Sequence, residues 1–159
     1  MREFNLNIFA AVCVFIMALA LPAGAVTHYV DPNGSGDFTT IQAAITTSSD
    51  GHTIIVMEGV YVENINMGCK AITLRSTDPN DPNIVQATII DGGGIGTVIT
   101  CSSGEDPNTI INGFTIRNGN GSNGGGMYNN FSSSPTARSA VIMQAIRAAG
   151  CGIKIRHQR

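Results

Sequence analysis

The chain is cut into pieces too short for long helices and too regular for a loop. Thr53–Met57, Val60–Ile65, Ala71–Arg75, Ala87–Ile90, Thr97–Cys101, Thr109–Ile111 and Phe114–Ile116 are rich in Ile, Val and Thr, and none exceeds six residues. Gly, Asn and Asp-Pro clusters separate them, so each reads as a β-strand ended by a turn. Asp-Pro-Asn alone recurs at 31–33, 78–80, 81–83 and 106–108. Two-residue Asn-Gly hairpin loops do not dominate, which argues against a meander. Grouped in pairs, the strands suggest units Thr53–Ile65, Ala71–Ile90 and Thr97–Ile116, beginning 18 and 26 residues apart. A loose period of this kind predicts an all-β solenoid of about three coils, in which each coil buries its Ile/Val face by stacking on its neighbours.

Asp37 to Ile65 organises the start of this array. Thr27–Val30 is a short β segment, and Asp31 to Asp37 (Asp-Pro-Asn-Gly-Ser-Gly-Asp) is a turn in which Pro fixes φ and Gly supplies positive φ. A helix follows. Thr39 and Gln42 have capping-box spacing, and Ile41, Ala44 and Ile45 make one apolar stripe ending near Ser48–Gly51. Placed before the first coil, this helix is expected to cover its open end, where strand edges would otherwise be unpaired.

Ahead of it, Arg2 opens a short polar segment and Ile8 to Leu21 is an unbroken apolar run of 14 residues. Ala23-Gly24-Ala25 supplies small residues at cleavage spacing. The run is short for a membrane span and has no polar face, so residues 1–25 are expected to be a secretory signal peptide cleaved near Ala25. Export to the cell surface or medium permits disulfides. Cys69, Cys101 and Cys151 remain after cleavage; Cys69 and Cys101 could pair, although cysteines also serve as small core residues.

Charge divides the mature chain. Residues 26–134 hold ten acidic groups against Lys70, Arg75 and Arg117, an acidic balance that argues against nucleic-acid binding. No acid follows Asp106, while Arg138, Arg147, Lys154, Arg156 and Arg159 crowd the end. The β-coil texture fades at the same place, so residues 26–136 are read as the β-domain and 137–159 as a separate basic tail. Val141, Ile142, Ala145, Ile146 and Ala149 have helical spacing, which allows a terminal amphipathic helix over Ser139–Ala149. A reading-frame slip near Pro135 is the other account. Shifted by one base, the codons of Arg147 to Gly152 can encode Gly-Gly-Gly-Met-Trp, echoing Gly124-Gly-Gly-Met-Tyr-Asn129.

Candidate chemistry is sparse. Asp31, Asn33, Ser35 and Asp37 have the opening ligand spacing of a calcium loop, but position twelve is Gln42 and no helix enters the loop. A turn leading into a helix uses the same residues. Asp78, Asp81, Glu105 and Asp106 sit on turns, where Asx geometry or a cation would each account for them. His28, His52 and His157 adjoin no nucleophile. Tyr29, Tyr61 and Tyr128 are candidates for stacking on sugar rings or for packing between coils.

The motif run Gly34-Ser-Gly-Asp-Phe-Thr-Thr-Ile-Gln-Ala-Ala-Ile45, then Thr-Ile-Ile-Val, Gly-Val-Tyr-Val-Glu-Asn-Ile and Ala-Ile-Thr-Leu, resembles the start of secreted bacterial right-handed parallel β-helix proteins of the pectin-lyase-like fold. Thr109–Gly119 and Gly124–Asn129 resemble their later coils, so the likeness spans roughly Thr27 to Thr136. The first block is also similar to that of pectin methylesterases. The resemblance implies a right-handed parallel β-helix with an N-terminal helical cap and an incomplete C-terminal end. For an esterase it further implies paired aspartates in Gln-Asp-Thr and Asp-Phe-hydrophobic-Phe-Gly contexts. Neither occurs, and Asp37-Phe38 is followed by Thr-Thr. For a lyase it implies an arginine base beside a cluster of calcium-binding aspartates; Arg75 and Arg117 are present, but nothing in the sequence places either beside paired carboxylates.

The expected function is therefore a non-catalytic extracellular or cell-surface module contacting polysaccharide or another surface, without a cofactor and with edge-to-edge self-association. Two alternatives stand beside it: the N-terminal fragment of a carbohydrate-active lyase or esterase lacking its catalytic coils, and a non-functional truncated product.

Overall fold

A computed structural model describes residues 24–102 and 108–131, and beyond them the backbone of strands Ile142–Gln144, Arg147–Ala149 and Ile153–His157. The expected signal peptide therefore lies, up to residue 23, outside the described residues. The strands are β1 Thr27–Val30, β2 Thr53–Val56, β3 Gly59–Val62, β4 Ile65–Asn66, β5 Thr73–Ser76, β6 Thr88–Asp91 and β7 Ile99–Cys101. They continue with β8 Ile110–Asn112, β9 Thr115–Arg117, β10 Met127–Phe131, β11 Ile142–Gln144, β12 Arg147–Ala149 and β13 Ile153–His157. Two short helices interrupt them, α1 Ile41–Thr47 and α2 Pro82–Ala87.

The strands form three sheets, ordered β1-β2-β5-β8-β11, β3-β6-β9-β12 and β4-β7-β10-β13, and every ladder within them is parallel. From β2 onward each sheet takes every third strand. The chain is thus all-β and parallel, as the strand texture predicts. The pairwise grouping is corrected: β7 pairs with β4 and β10, not with β2 or β5, so a strand read as opening the third unit closes the second. The cause is β4. At two residues it is too short to show as a strand of its own, and it merges in the sequence with β3.

Register turns the alternating pattern into rows. His28, Ile54, Leu74 and Ile111 face one another across neighbouring strands of the first sheet, and the last three are fully buried. Tyr61, Ile90 and Ile116 make the inward row of the second sheet, and Ile65, Ile99 and Met127 that of the third. These rows meet in one hydrophobic core with Phe114, Ile72 and Met67. A fully buried aliphatic side chain contributes roughly 1.5–3 kcal/mol, so the stacked rows outweigh any single surface contact in fixing the register.

Helix α1 packs against β1, β2 and β4, and its capping differs from the expected Thr39–Gln42 box. Thr40 is the N-cap residue and its side chain makes no capping bond. The Glu63 carboxylate, arriving from beyond β3, accepts the N–H groups of Ile41 at 2.8 Å and Gln42 at 2.9 Å. At the other end Lys70 Nζ donates to the carbonyls of Ile45 and Thr46 at 2.6 and 2.7 Å. Opposite charges therefore sit at the two ends of the helix dipole. Gln42 is released from capping, and its side chain turns to β4: Oε1 accepts the Asn66 N–H at 2.8 Å and Nε2 donates to the Asn66 carbonyl at 3.3 Å.

Two further features depart from the sequence reading. Pro82–Ala87 is a helix, begun by Asp81, whose carboxylate accepts the Asn83 N–H, with Pro82 at the first turn. Over Ser139–Ala149, strands β11 and β12 stand where helical spacing predicts a helix. They pair in parallel with β8 and β9, because the edges of those strands offer main-chain partners that local periodicity does not report.

Candidate contact surface

Where one row of each sheet faces the core, the next faces outward, and residues from distant parts of the sequence come into line there. On the third sheet the outward row is Asn66, Thr100 and Tyr128, in register on β4, β7 and β10. Met127 and Asn129, flanking Tyr128, are buried, so strand alternation turns the tyrosine ring outward. An amide, a hydroxyl and a phenol ring thus stand at successive strand spacings of about 4.8 Å. Asn66 uses its Oδ1 on the Gly68 N–H at 3.0 Å, which fixes the side chain over the turn after β4.

On the second sheet the outward row is Val62, Asp91 and Arg117. Asp91 is nearly buried and fully engaged. Its Oδ2 receives Arg117 Nε at 2.7 Å, both oxygens receive Asn118 Nδ2 at 3.1 and 2.9 Å, and Oδ1 receives the Gly93 N–H at 2.9 Å. The Gly93 N–H first, then Arg117 and Asn118, hold the carboxyl below its ordinary value against the opposing effect of burial. Asn118 reaches Asp91 from a left-handed backbone conformation, φ 55°. This cluster ties β6 to β9. On the first sheet Thr27, Thr53 and Thr73 line up outward, and Arg75 folds back to donate to the carbonyls of Ser76 and Thr77, both at 3.0 Å.

The residues with calcium-loop spacing do not point to one centre. Asp31 Oδ1 accepts the Asn33 N–H at 2.8 Å and Asn33 Nδ2 at 3.1 Å, and its Oδ2 accepts the Ser35 hydroxyl. These bonds, Ser35 first, lower the Asp31 pKa. Asp37 instead accepts the Tyr29 N–H at 2.8 Å. The loop closes against β1 so tightly that a Cβ on Gly36 would lie 2.6 Å from the Tyr29 carbonyl oxygen. Asp78 and Asp81 accept the N–H groups of Asn80 and Asn83 in Asx geometry, while Glu105 and Asp106 lie outside the described residues.

The three tyrosines separate. Tyr61 is buried in the core, and its hydroxyl donates to the carbonyls of Met57 at 2.9 Å and Val30 at 3.1 Å; burial first, then Asp31 and Glu63, pushes its pKa up. Tyr61 is therefore a packing residue and not a sugar platform. Tyr29 and Tyr128 stay outward. Cys69 is exposed and Cys101 buried; Cys151 and the side chain of His157 lie outside the described residues. Asn66 and Thr100 carry no sequence signal, because only the pairing of the two-residue β4 with β7 brings them beside Tyr128.

Among the described residues no group of three or more His, Cys, Asp and Glu is arranged to hold a metal ion, and no helix is long and apolar enough to cross a membrane. No family model, curated protein or solved structure matches the chain.

Proposed function

We propose that the chain is a secreted or cell-surface module of the right-handed parallel β-helix class, similar to pectin-lyase-like proteins, that contacts polysaccharide without cleaving it. In this reading the three parallel sheets are the faces of one solenoid, α1 is its N-terminal cap, and the outward row of the third sheet is the contact surface. The observation that carries the reading is the in-register line Asn66, Thr100 and Tyr128. A phenol ring offers a face for the C–H side of a sugar, and the neighbouring amide and hydroxyl offer bonds to its hydroxyl groups. Their even spacing suits a ligand that is itself a repeating polymer. The proposed function calls on no metal and no catalytic residue.

A glycan array probed with the mature chain tests it. Binding to a defined class of polysaccharide is expected, and Tyr128→Ala is expected to weaken it about tenfold, the loss of one well-packed aromatic contact. Equal binding by Tyr128→Ala and the parent chain would remove the third sheet from the interface.

A further inference from the structure

We propose that His28 and His52 together bind a divalent transition metal ion that prefers imidazole, such as zinc or copper. The two rings lie at the end of the core bordered by β1. His28 is the inward residue of β1 opposite Ile54, and His52 immediately precedes β2. Their ring centroids are 5.5 Å apart with planes inclined by 50°. Backbone bonds hold His52 on both sides: its N–H donates to the Ser49 carbonyl at 3.1 Å, and its carbonyl accepts the Thr73 N–H at 3.0 Å. Phe38 meets the His28 ring edge-on at 5.4 Å and 80°.

Packing alone does not account for this arrangement. His28 Nε2 and His52 Nδ1 are both shielded from solvent and have no hydrogen-bond partner, although His52 as a whole is only 8% exposed. Each such orphan is destabilising, and the two rings do not satisfy one another. A metal ion removes both costs at once. With metal–nitrogen distances near 2.0–2.1 Å, two imidazoles on a tetrahedral ion would have centroids roughly 5 Å apart, close to the observed separation.

The ligand type selects the ion class. Neutral imidazole nitrogens suit zinc, copper and nickel, whereas calcium and magnesium take oxygen ligands. Two imidazoles fill only two of the ion's positions, so the protein supplies an incomplete ligand set. It is separate from the Asp31 loop and from the outward row of the third sheet, and it stands whether or not the chain binds glycans.

The test uses the full mature chain stripped with chelator. Titration with Zn²⁺ is expected to saturate at one ion per chain and to raise the melting temperature by about 5 °C at saturation. His28→Phe and His52→Phe keep the ring volume and are each expected to lose that response. Electron paramagnetic resonance of the Cu²⁺-loaded chain labelled with ¹⁵N-histidine needs no variant and is expected to show coupling to two histidine nitrogens. The proposal is overturned by no stoichiometric binding, by coupling to fewer than two histidines, or by binding lost in His28→Phe but kept in His52→Phe. The last pattern would assign the metal to a chelate at the chain's N-terminus. Binding lost only in His157→Ala would also overturn it.

Discussion

Gln42 and Asn66 pair as neighbouring strands do, the side-chain amide of one meeting the backbone N–H and carbonyl of the other. Through this contact a helix closes the edge of β4 without supplying a strand. An edge left open would present unpaired main-chain groups to another chain. Gln42→Leu keeps much of the volume but removes both bonds, and a loss of about 1–3 kcal/mol is expected in urea unfolding. Gln42→Glu keeps the acceptor for the Asn66 N–H and loses the donor, so it should fall between the two. A Gln42→Leu protein as stable as the parent would show that water serves this edge equally well.

Glu63 and Lys70 hold the two ends of α1. Glu63→Ala is expected to cost about 1–2 kcal/mol, in the range of a lost helix cap, and Lys70→Ala less, because the ammonium group is partly solvated. Hydrogen exchange should localise both effects to Ile41–Thr47. Protection that falls evenly across β5 to β9 would contradict a local capping role.

Asp91 should give the fold an acid-sensitive limb. Its carboxyl is held below the ordinary value of 3.8, so its contribution is complete above that pH and is lost as pH falls through the lowered native value. Stability is therefore expected to be flat for this group from neutral pH to about 4 and to decline below it. Asp91→Asn should flatten that decline, measured as urea midpoints across the pH range. At neutral pH Asp91→Ala should cost about 1–3 kcal/mol, since Arg117, Asn118 and Gly93 lose a shared acceptor. A parent-like acid limb in Asp91→Asn would assign the pH dependence elsewhere.

The outer face of β3 should make the chain self-associate. β3 is an edge strand of the second sheet, and Val62 is 69% exposed beside the exposed Val60. Sedimentation velocity is expected to show concentration-dependent association, and Val62→Lys is expected to shift the population to monomer. A monomeric, cooperatively melting parent protein would contradict this.

Much of the architecture was legible because burial and strand alternation coincide. Ile54, Leu74 and Ile111 could be read as inward residues, and Ile41, Ala44 and Ile45 as the buried stripe of a helix. What stayed hidden depends on contacts between remote segments. The bond from Glu63 to Ile41, the turn of Gln42 toward Asn66 and the line from Asn66 to Tyr128 have no local signature. β4 is two residues long and α2 six, below the length at which a period can be counted. At Ile142 and Ala149 a helical spacing was present, but pairing with β8 and β9 prevailed. The candidate surface was legible only at Tyr128; its neighbours joined it through register.

Binding without cleavage can be tested in a single tube. The most direct measurement incubates the mature chain with the polysaccharide selected on the array, sediments the complex, and assays the same tube for new reducing ends and unsaturated products. The protein is expected to sediment with the polysaccharide, Tyr128→Ala to stay in the supernatant, and no product to accumulate. Measurable eliminative or hydrolytic cleavage, abolished by heat inactivation of the chain, would contradict it.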